Sequence, residues 1–589
     1  MDYINGNDLY QMFNYGTVNI LQQRKVLNEI NVFPVSDRDT GNNLASTLQA
    51  ISQKSIRDDS FHLALQSISE SALYGARGNS GVIFAQFVNG LMSASKGKAR
   101  VTIEEFAEMV NQSVVYTYSS LSNPVEGTML TVIKDWANSL IAVVKKNIES
   151  IKLVFEHAFS IAKKSLEKTK EQLQILKKND VVDSGAMGFV LFLQGINSYY
   201  NNEAIESVNY EEIEIEHKDT HDENVSFRYC TEGLVKTNET LLEANLKDVL
   251  NKYGDSLIVA KGLNMFRIHI HTDSPELVFS ELRKYGKIIT QKVDNMIQDI
   301  ALEKPDNKTV IVTDSICDLD IEFINKNNIV VVPINVKVDE VDYFDKLTIN
   351  NEILFDLIPN ISEYPTTATP TIKYVDDLFV RLLKQHDQIL VLTVSGNLSA
   401  THNVLFEQAK KAAKPGKRIH VIDTLNNSAT EGLLVRKAVD LLASGLSLDE
   451  VIEYIEIQKK KTKILVCLNT FKYAAMSGRL PKVVGKIGNF FGMRPIMTLD
   501  QNGKGAAFGI GFSKKAITKK IIKLINKEIT NGGIEEYSLV HCLNSDLADE
   551  YSKLFTKIIG KEPEYIADVS SATAIHSGVG TVAIGYIRK

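Results

Sequence analysis

The chain has 589 residues, of which 44% are hydrophobic and 23% charged, and a formal net charge of −6. That length exceeds what one hydrophobic core serves and predicts about three to five domains of ordinary globular composition. The negative balance argues against binding nucleic acid, and four cysteines without a CxxC pair (Cys230, Cys317, Cys467, Cys542) argue against a disulfide framework.

The opening residues, MDYINGNDLYQM, carry neither the basic region nor the apolar stretch of a signal peptide. No apolar run reaches the roughly 18 residues a membrane helix needs. A cytoplasmic protein without a membrane span is expected, with transient membrane contact left open.

Residues 1–200 read as helices. GVIFAQFVNGLMSA (81–94) and AMGFVLFLQGINSYY (186–200) are apolar at helical spacing, with Val82, Phe87 and Leu91 near one face. Glycine-bearing connections interrupt this bundle: NVFPVSDRDTGNN (31–43), GARGNSG (75–81), PVEGTML (124–130) and VVDSGAMG (181–188). In the first, Asp37 and Asp39 flank Arg38, a pattern that serves either a capped turn or a hard-cation site. Each loop puts small or hydroxyl residues where a helix begins, and helix N-termini bind phosphate through free N–H groups. Any one of them is an ordinary turn; four on one bundle point to a nucleotide site. No GxxxxGK[ST] occurs, so a P-loop is excluded.

Residues 201–226 are acidic and weakly patterned, as in a linker or exposed edge. In the strand-like FRIHIHTD (266–273), His269 and His271 are two apart and share one face. With Cys230 they make a donor set suited to Zn²⁺; the plain alternative is half-buried packing. ALEKPDNK (301–308) marks a second boundary. From residue 309, β-branched runs at 309–315, 329–338, 388–396 and 418–424 alternate with helical stretches, which implies a largely parallel sheet under helices. Strand pairs follow, with a turn at Asp500–Gly503. TDSICDL (313–319), SGNLSATHN (395–403) and MSGRL (476–480) place hydroxyls and one arginine at element ends, where α/β sheets bind ligands. A serine such as Ser395 or Ser399 reads equally well as a helix cap.

The four loops resemble the L domain of dihydroxyacetone kinases and, more closely, the kinase subunit of bacterial fatty acid kinase. Its pattern runs close to NVFPVPDGDTGTN, GARGNSGV, PVEGTxLTV and VVDxGxxG. The resemblance implies an antiparallel helical barrel with ATP and Mg²⁺ at one end. Asp37 and Asp39 would ligate Mg²⁺, with Asn31 beside them. Thr40, Gly41, Asn43, Gly78, Asn79, Ser80, Gly81, Thr128, Met129, Asp183 and Gly185 would surround the nucleotide. Ser36 and Arg38 depart from the pattern's proline and glycine, and Ala186-Met187 from its commoner small or amide residues. YCTEGLV, KYGDSLIVA and HIHTDSPE resemble the middle domain of the same kinase, implying that Cys230, His269 and His271 hold zinc.

PTTATPT (365–371), VSGNLSAT (394–401), SGRL (477–480) and IHSGVG (575–580), with TDSICDL, resemble DegV-family proteins, the fatty-acid-binding partners of that kinase. Thr367, Arg479 and His576 would then hold a fatty acid carboxylate, with Ser395 and Gly396 beside it.

The expected architecture is therefore multidomain: an all-α antiparallel helical barrel (1–203), an α+β middle domain (204–305) and an α/β DegV-like domain of two subdomains (306–589). The expected activity is ATP-dependent phosphorylation of a long-chain fatty acid, with Asp37, Asp39, Arg479 and His576 at the chemistry and a homodimer formed through the helical domain. The rivals are a small-polyol kinase of the dihydroxyacetone type and a lipid-binding carrier with a degenerate nucleotide site.

Overall fold

The computed structural model describes residues 3–33, 38–146, 150–204, 226–237, 243–303, 309–479 and 492–589. Two compact units divide the chain, Met1–Glu303 and Lys304–Lys589.

The first unit opens with strand β1 (Tyr3–Ile4) and helices α1 (Gly6–Glu29), α2 (Thr40–Lys54), α3 (Phe61–Gly75) and α4 (Gly78–Ser95). Strand β2 (Val101–Thr102) follows, then α5 (Ile103–Ser120), α6 (Met129–Val144), α7 (Ile151–Gln172), α8 (Gln174–Asn179) and α9 (Ser184–Tyr200). Sequence-local caps start several of them. Asn5 and Asp8 exchange bonds at the head of α1, and Thr102 and Glu105 do so for α5, each satisfying two otherwise orphaned amides. Helix α1 lies antiparallel to α9, because Ser184 reaches the Leu27 carbonyl at one end while Tyr199 reaches Asp8 at the other. Gly195 permits that approach, since a Cβ there would stand 2.5 Å from the Gly16 amide nitrogen. The core between the helices is aromatic, with Phe13, Phe84 and Phe192 in mutual contact and Trp136 against Phe87 and Phe189.

The middle region belongs to the same unit. Strands β3 (Tyr229–Lys236), β4 (Gly254–Lys261), β5 (Met265–Thr272) and β6 (Lys287–Asn295) form an antiparallel sheet in the order β4-β5-β3-β6. Strand alternation sorts its residues between two faces. Gly233 packs on Phe279 and Leu282 of α11 (Pro275–Arg283), the third helix of this region being α12 (Met296–Glu303) after α10 (Glu243–Leu250). The opposite face carries Glu232 and Arg267 toward the helices, where Arg267 donates to the carbonyls of Leu73 and Tyr74.

The second unit contains β7 (Thr309–Asp314), β8 (Val330–Val332), β9 (Asn335–Val338), β10 (Val341–Phe344), β11 (Thr366–Ala368), β12 (Gln388–Thr393) and β13 (Arg418–Asp423). Of these, β13-β12-β7-β8 form a parallel sheet and β10-β9-β11 an antiparallel one. The helix Ile372–Gln385 shows how the parallel sheet is covered, burying Val375, Leu378, Phe379 and Leu382 at helical spacing. Strands β14 (Thr462–Cys467), β15 (Arg494–Leu499), β16 (Gly505–Gly511), β17 (Ile534–His541), β18 (Ile566–Asp568) and β19 (Val582–Arg588) complete a six-stranded sheet, antiparallel except for the β17–β18 pair. The Gly503 amide closes the expected turn onto the Asp500 carbonyl at 3.1 Å. Parallel pairing is thus concentrated in the first part of this unit, because the late strands are joined by a tight turn or cross the sheet as antiparallel neighbours.

Candidate functional site

Four helix starts and the end of α1 meet at one end of the first unit. Asp39 is the N-cap residue of α2 and its carboxylate makes no cap bond to that helix. Asp37 lies outside the described residues. Thr40 donates to buried Asn31 at 2.9 Å, fixing the loop entry, and Gly41 sits against the Arg24 carbonyl of α1. Asn43, one turn into α2, touches Gly78 at the start of α4, with Gly81 close to its carbonyl. Gly78 has φ 52°, and a Cβ there would lie 2.0 Å from the Asn43 amide nitrogen, so conformation and space both demand glycine. In the same first turn Asn79 is half-buried, and the Ser80 hydroxyl is buried with no hydrogen-bond partner.

The starts of α6 and α9 form the other side. Thr128 caps α6 through the Leu130 amide. Asp183 caps α9, accepting from the Ala186 amide at 2.7 Å and from that of Met129, the first residue of α6. Gly185 lies between the Asp183 carboxylate and Met129. Burial pushes Asp183 up to about 6, against the two backbone bonds that favour its charged form. Ser184 on the Leu27 carbonyl and Gly188 on Leu44 tie this side to α1 and α2. The described nucleotide residues expected from the sequence therefore share one end of the bundle. Arg38 takes φ 51°, the left-handed conformation that its glycine counterpart would enter without the roughly 1–2 kcal/mol that L-residues pay.

Donor atoms of Cys230, His269 and His271 lie within 4.8 Å of one another. The register explains why: Cys230 is opposite His271 and Glu232 opposite His269 across β3 and β5. Ligands 2.0–2.3 Å from a shared zinc stand about 3.5 Å apart, so this set need contract only slightly. His269 Nε2 is buried without a partner, and the donor set of one thiol and two imidazoles fits zinc. Burial first, then the Glu232 charge with smaller contributions from Asp294 and Asp39, hold the Cys230 thiol well above its usual range. The Asp39 charge thus reaches this cluster from the α2 loop.

Glu232 is the residue that sequence reasoning missed. It is buried, accepts from the Gly78 amide at 2.6 Å and from Arg267 at 2.9 Å, and lies 3.6 Å from His269 Nδ1. Arg77 adds a longer pairing at 3.9 Å. Burial would raise Glu232, but His269, Arg267, Lys292 and Arg77 together hold it well below the ordinary carboxylate range. The available signal was the C-x-E spacing beside H-x-H, which alternation puts on one face.

In the second unit, His576 lies in the last turn of the helix Ser571–Ser577, and burial, then the Arg479 charge, push it down to about 4. Arg479 points its guanidinium at the Leu398 carbonyl, 3.5 Å away. Leu398 in turn bonds the Ser395 carbonyl, so Arg479, His576 and the 395–398 turn are brought together. Tyr364, three residues before Thr367, donates to the Ile575 carbonyl, and Thr367 itself is exposed on β11. The Gly396 amide is already directed at the Asp423 carboxylate, at 3.2 and 3.3 Å, and the buried Ser395 hydroxyl accepts from the Asn397 amide. Deeper in this unit TDSICDL contributes to a buried carboxylate group. Asp314, Asp318, Asp345 and Glu431 are all raised, chiefly by burial, with Asp314 at about 7 and Asp345 at about 6.

Among the described residues no helix is long and apolar enough to cross a membrane. Residues 34–198 match the DAK2 domain, residues 226–301 the middle domain of fatty-acid-kinase-like proteins, and residues 308–589 the DegV family of uncharacterised proteins. An uncharacterised Staphylococcus epidermidis protein is 31% identical over 306 residues, covering 50% of this chain and 55% of its own length. One from Mycoplasma genitalium is 32% identical over 322 residues, with 50% and 57% covered. The chain thus spans about half the length of the curated relatives it matches. A fatty-acid-binding DegV protein of Streptococcus agalactiae aligns with 48% of this chain and 99% of its own, at 24% identity and a TM-score of 0.44. One chain therefore carries, in order, a DAK2-like helical region, a fatty-acid-kinase-like middle region and a DegV-like α/β region.

Proposed function

We propose that the protein transfers the γ-phosphoryl group of ATP to a long-chain fatty acid carboxylate, giving an acyl phosphate and ADP. The observation that carries this reading is the convergence of four helix N-termini, Asp39 and Asp183 at one end of the first unit, beside the Cys230–His269–His271 cluster. The match of the middle region to fatty-acid-kinase-like proteins, followed by a DegV-like region, supports a fatty acid as the substrate class.

Phosphoryl transfer needs positioning and charge neutralisation more than covalent help. The N-terminal turns of α2, α4, α6 and α9 present their positive dipole ends to phosphate oxygens, with the Gly78, Met129, Leu130 and Ala186 amides already engaged by Glu232, Asp183 and Thr128, and the partnerless Ser80 hydroxyl adds a donor. Asp39, Asp183 and, by sequence, Asp37 offer hard oxygen ligands; Mg²⁺ held there would neutralise the developing charge. Within the second unit, Arg479 supplies positive charge to hold an acyl carboxylate, and His576, neutral above its lowered range, supplies a hydrogen bond. The carboxylate oxygen attacks the γ-phosphorus as the bridging P–O bond to ADP breaks, so no strong general base is required. Cys230, His269 and His271 would hold zinc in a structural or positioning role. The domain division at 203 and 305, a homodimer through the helices and a cytoplasmic setting belong to the same proposal.

The test is ADP release and hydroxylamine-trapped acyl phosphate from purified full-length protein with ATP, Mg²⁺ and a long-chain fatty acid. Asp39→Ala should abolish both. Activity that survives it removes the mechanism. Nucleotide binding without turnover would select the lipid-carrier reading, which the strained Arg38 favours.

A further inference from the structure

The metal-binding donor set and the Gly78 loop are built from different regions of the first unit, yet one side chain touches both. Glu232 Oε1 takes the Gly78 N–H at 2.6 Å and stands 3.6 Å from His269 Nδ1. Its other oxygen is held by Arg267 at 2.9 Å, and Arg267 is itself tied to the carbonyls of Leu73 and Tyr74, at the end of the helix preceding the loop. The carboxylate is therefore clamped from both sides and 1% exposed, so it cannot swing away to water when one partner leaves.

Gly78 opens α4, the helix whose first turn carries the partnerless Ser80 hydroxyl. Its left-handed conformation aims its N–H at Glu232 and sets the start of that turn. On the other side, His269 Nδ1 faces both the Glu232 carboxylate at 3.6 Å and the Cys230 thiol at 3.9 Å, so a cation taken by the partnerless Nε2 would leave Nδ1 to carry the ring proton toward Glu232. Metal-bound imidazoles depend on such a partner for tautomer and orientation. A single rigid carboxylate thus sees the state of the metal set and the shape of the phosphate-side loop.

We propose that Glu232 is a positioning residue that couples metal occupancy at Cys230–His269–His271 to nucleotide affinity at the Gly78–Gly81 turn. The inference deepens the nucleotide-site reading above and rests on it. Coupling is reciprocal: zinc tightens nucleotide binding, and nucleotide tightens zinc binding by the same factor.

The experiment uses the full chain, stripped of metal and then titrated with ZnCl₂, and measures Kd for a non-hydrolysable ATP analogue with Mg²⁺ by calorimetry. Zinc should tighten the wild-type analogue Kd by about five-fold or more. In Glu232→Gln, zinc should still bind to its three intact ligands while that factor falls to about one; Glu232→Asp should restore part of it. A purely structural role would weaken both ligands without changing the factor. Because Glu232→Gln could unfold the sheet, hydrogen exchange on wild-type protein provides a second reading. Removing zinc should speed exchange in the peptide covering 75–82 and leave that covering 129–144 unchanged. Equal analogue affinity with and without zinc, unchanged exchange at 75–82, or no zinc binding at all each overturns the coupling. Failure to make acyl phosphate, with the coupling present, overturns only the proposed reaction.

Discussion

Asp183→Asn should make the protein more stable at neutral pH while impairing nucleotide binding. Burial raises this carboxyl from 3.8 to about 6 in the folded chain. At about 1.36 kcal/mol per pKa unit, keeping it charged above that range costs the fold about 3 kcal/mol. The sign follows from proton binding: the folded state holds its proton to a higher pH than the unfolded chain. The cost is absent below 3.8, grows as pH rises toward 6, and is complete above it. Asparagine removes the charge and still accepts the Ala186 amide, but offers one acceptor in place of two, so the bond from Met129 is lost at about 1 kcal/mol. The net expectation is a gain of about 2 kcal/mol at pH 7.5, shrinking toward zero or a slight loss at pH 4. Trp136 makes the measurement clean. It is the chain's one tryptophan and packs on Phe189 of α9, so its fluorescence during urea unfolding reports on this helix bundle. A variant less stable than wild type at pH 7.5, or a difference that does not change with pH, would refute the reasoning.

Gly78→Ala should cost about 2–4 kcal/mol, from left-handed strain plus displacement of Asn43, and weaken analogue binding more than ten-fold; urea unfolding and calorimetry check the two parts. Arg267→Met leaves the buried Glu232 charge short of its main cation and should destabilise the first unit by about 3–5 kcal/mol in urea unfolding followed by circular dichroism; a loss below about 1 kcal/mol would count against the pairing. Fatty acid affinity should be flat between pH 6 and 8, because His576 is held at about 4 and stays neutral there, whereas Arg479→Gln should weaken it about ten- to 100-fold. A fluorescent fatty acid displacement titration reads both, and a steep rise in affinity as pH falls from 8 to 6 would show that a protonated imidazole carries the recognition.

The helices and their glycine breaks were legible because a buried helix must repeat its apolar positions and must announce its start with small or capping residues. Thr102 with Glu105 and Asp183 with Ala186 are local signals of that kind. The Cys230–His269–His271 set was legible for a related reason, since strand alternation alone puts two of its members on one face. Glu232 was not, because its meaning depends on Gly78, 154 residues earlier, and no local period links them. The β15–β16 pair around Asp500–Gly503 was legible from its turn, but nothing local reveals that β14, β17 and β19 also pair antiparallel, which is fixed by β19 returning between β14 and β17. Arg38 stood out as a substitution at a glycine position; the structure keeps the glycine-like backbone and leaves the arginine to bear it.

The buried carboxylates distinguish a site from a scaffold. Glu232 is as buried as Asp183, yet it sits well below the usual range because Arg267, His269, Lys292 and Arg77 surround it; its charge is settled within the protein. Asp314 and Asp345 are raised, but backbone amides or serine hydroxyls fill their oxygens: Val394 and Ile316 for the first, Ser315 and Ser571 for the second. Lys346 stands among them as their cation. Those groups read as a closed polar core. Asp183 combines burial with two backbone amides, and among the described residues these are the causes that set its titration. It lies where four helix N-termini converge, at the end of the bundle that also carries the partnerless Ser80 hydroxyl. A divalent cation brought in with phosphate, as proposed above, would do for Asp183 what Arg267 does for Glu232, offsetting part of the burial that raises its carboxyl.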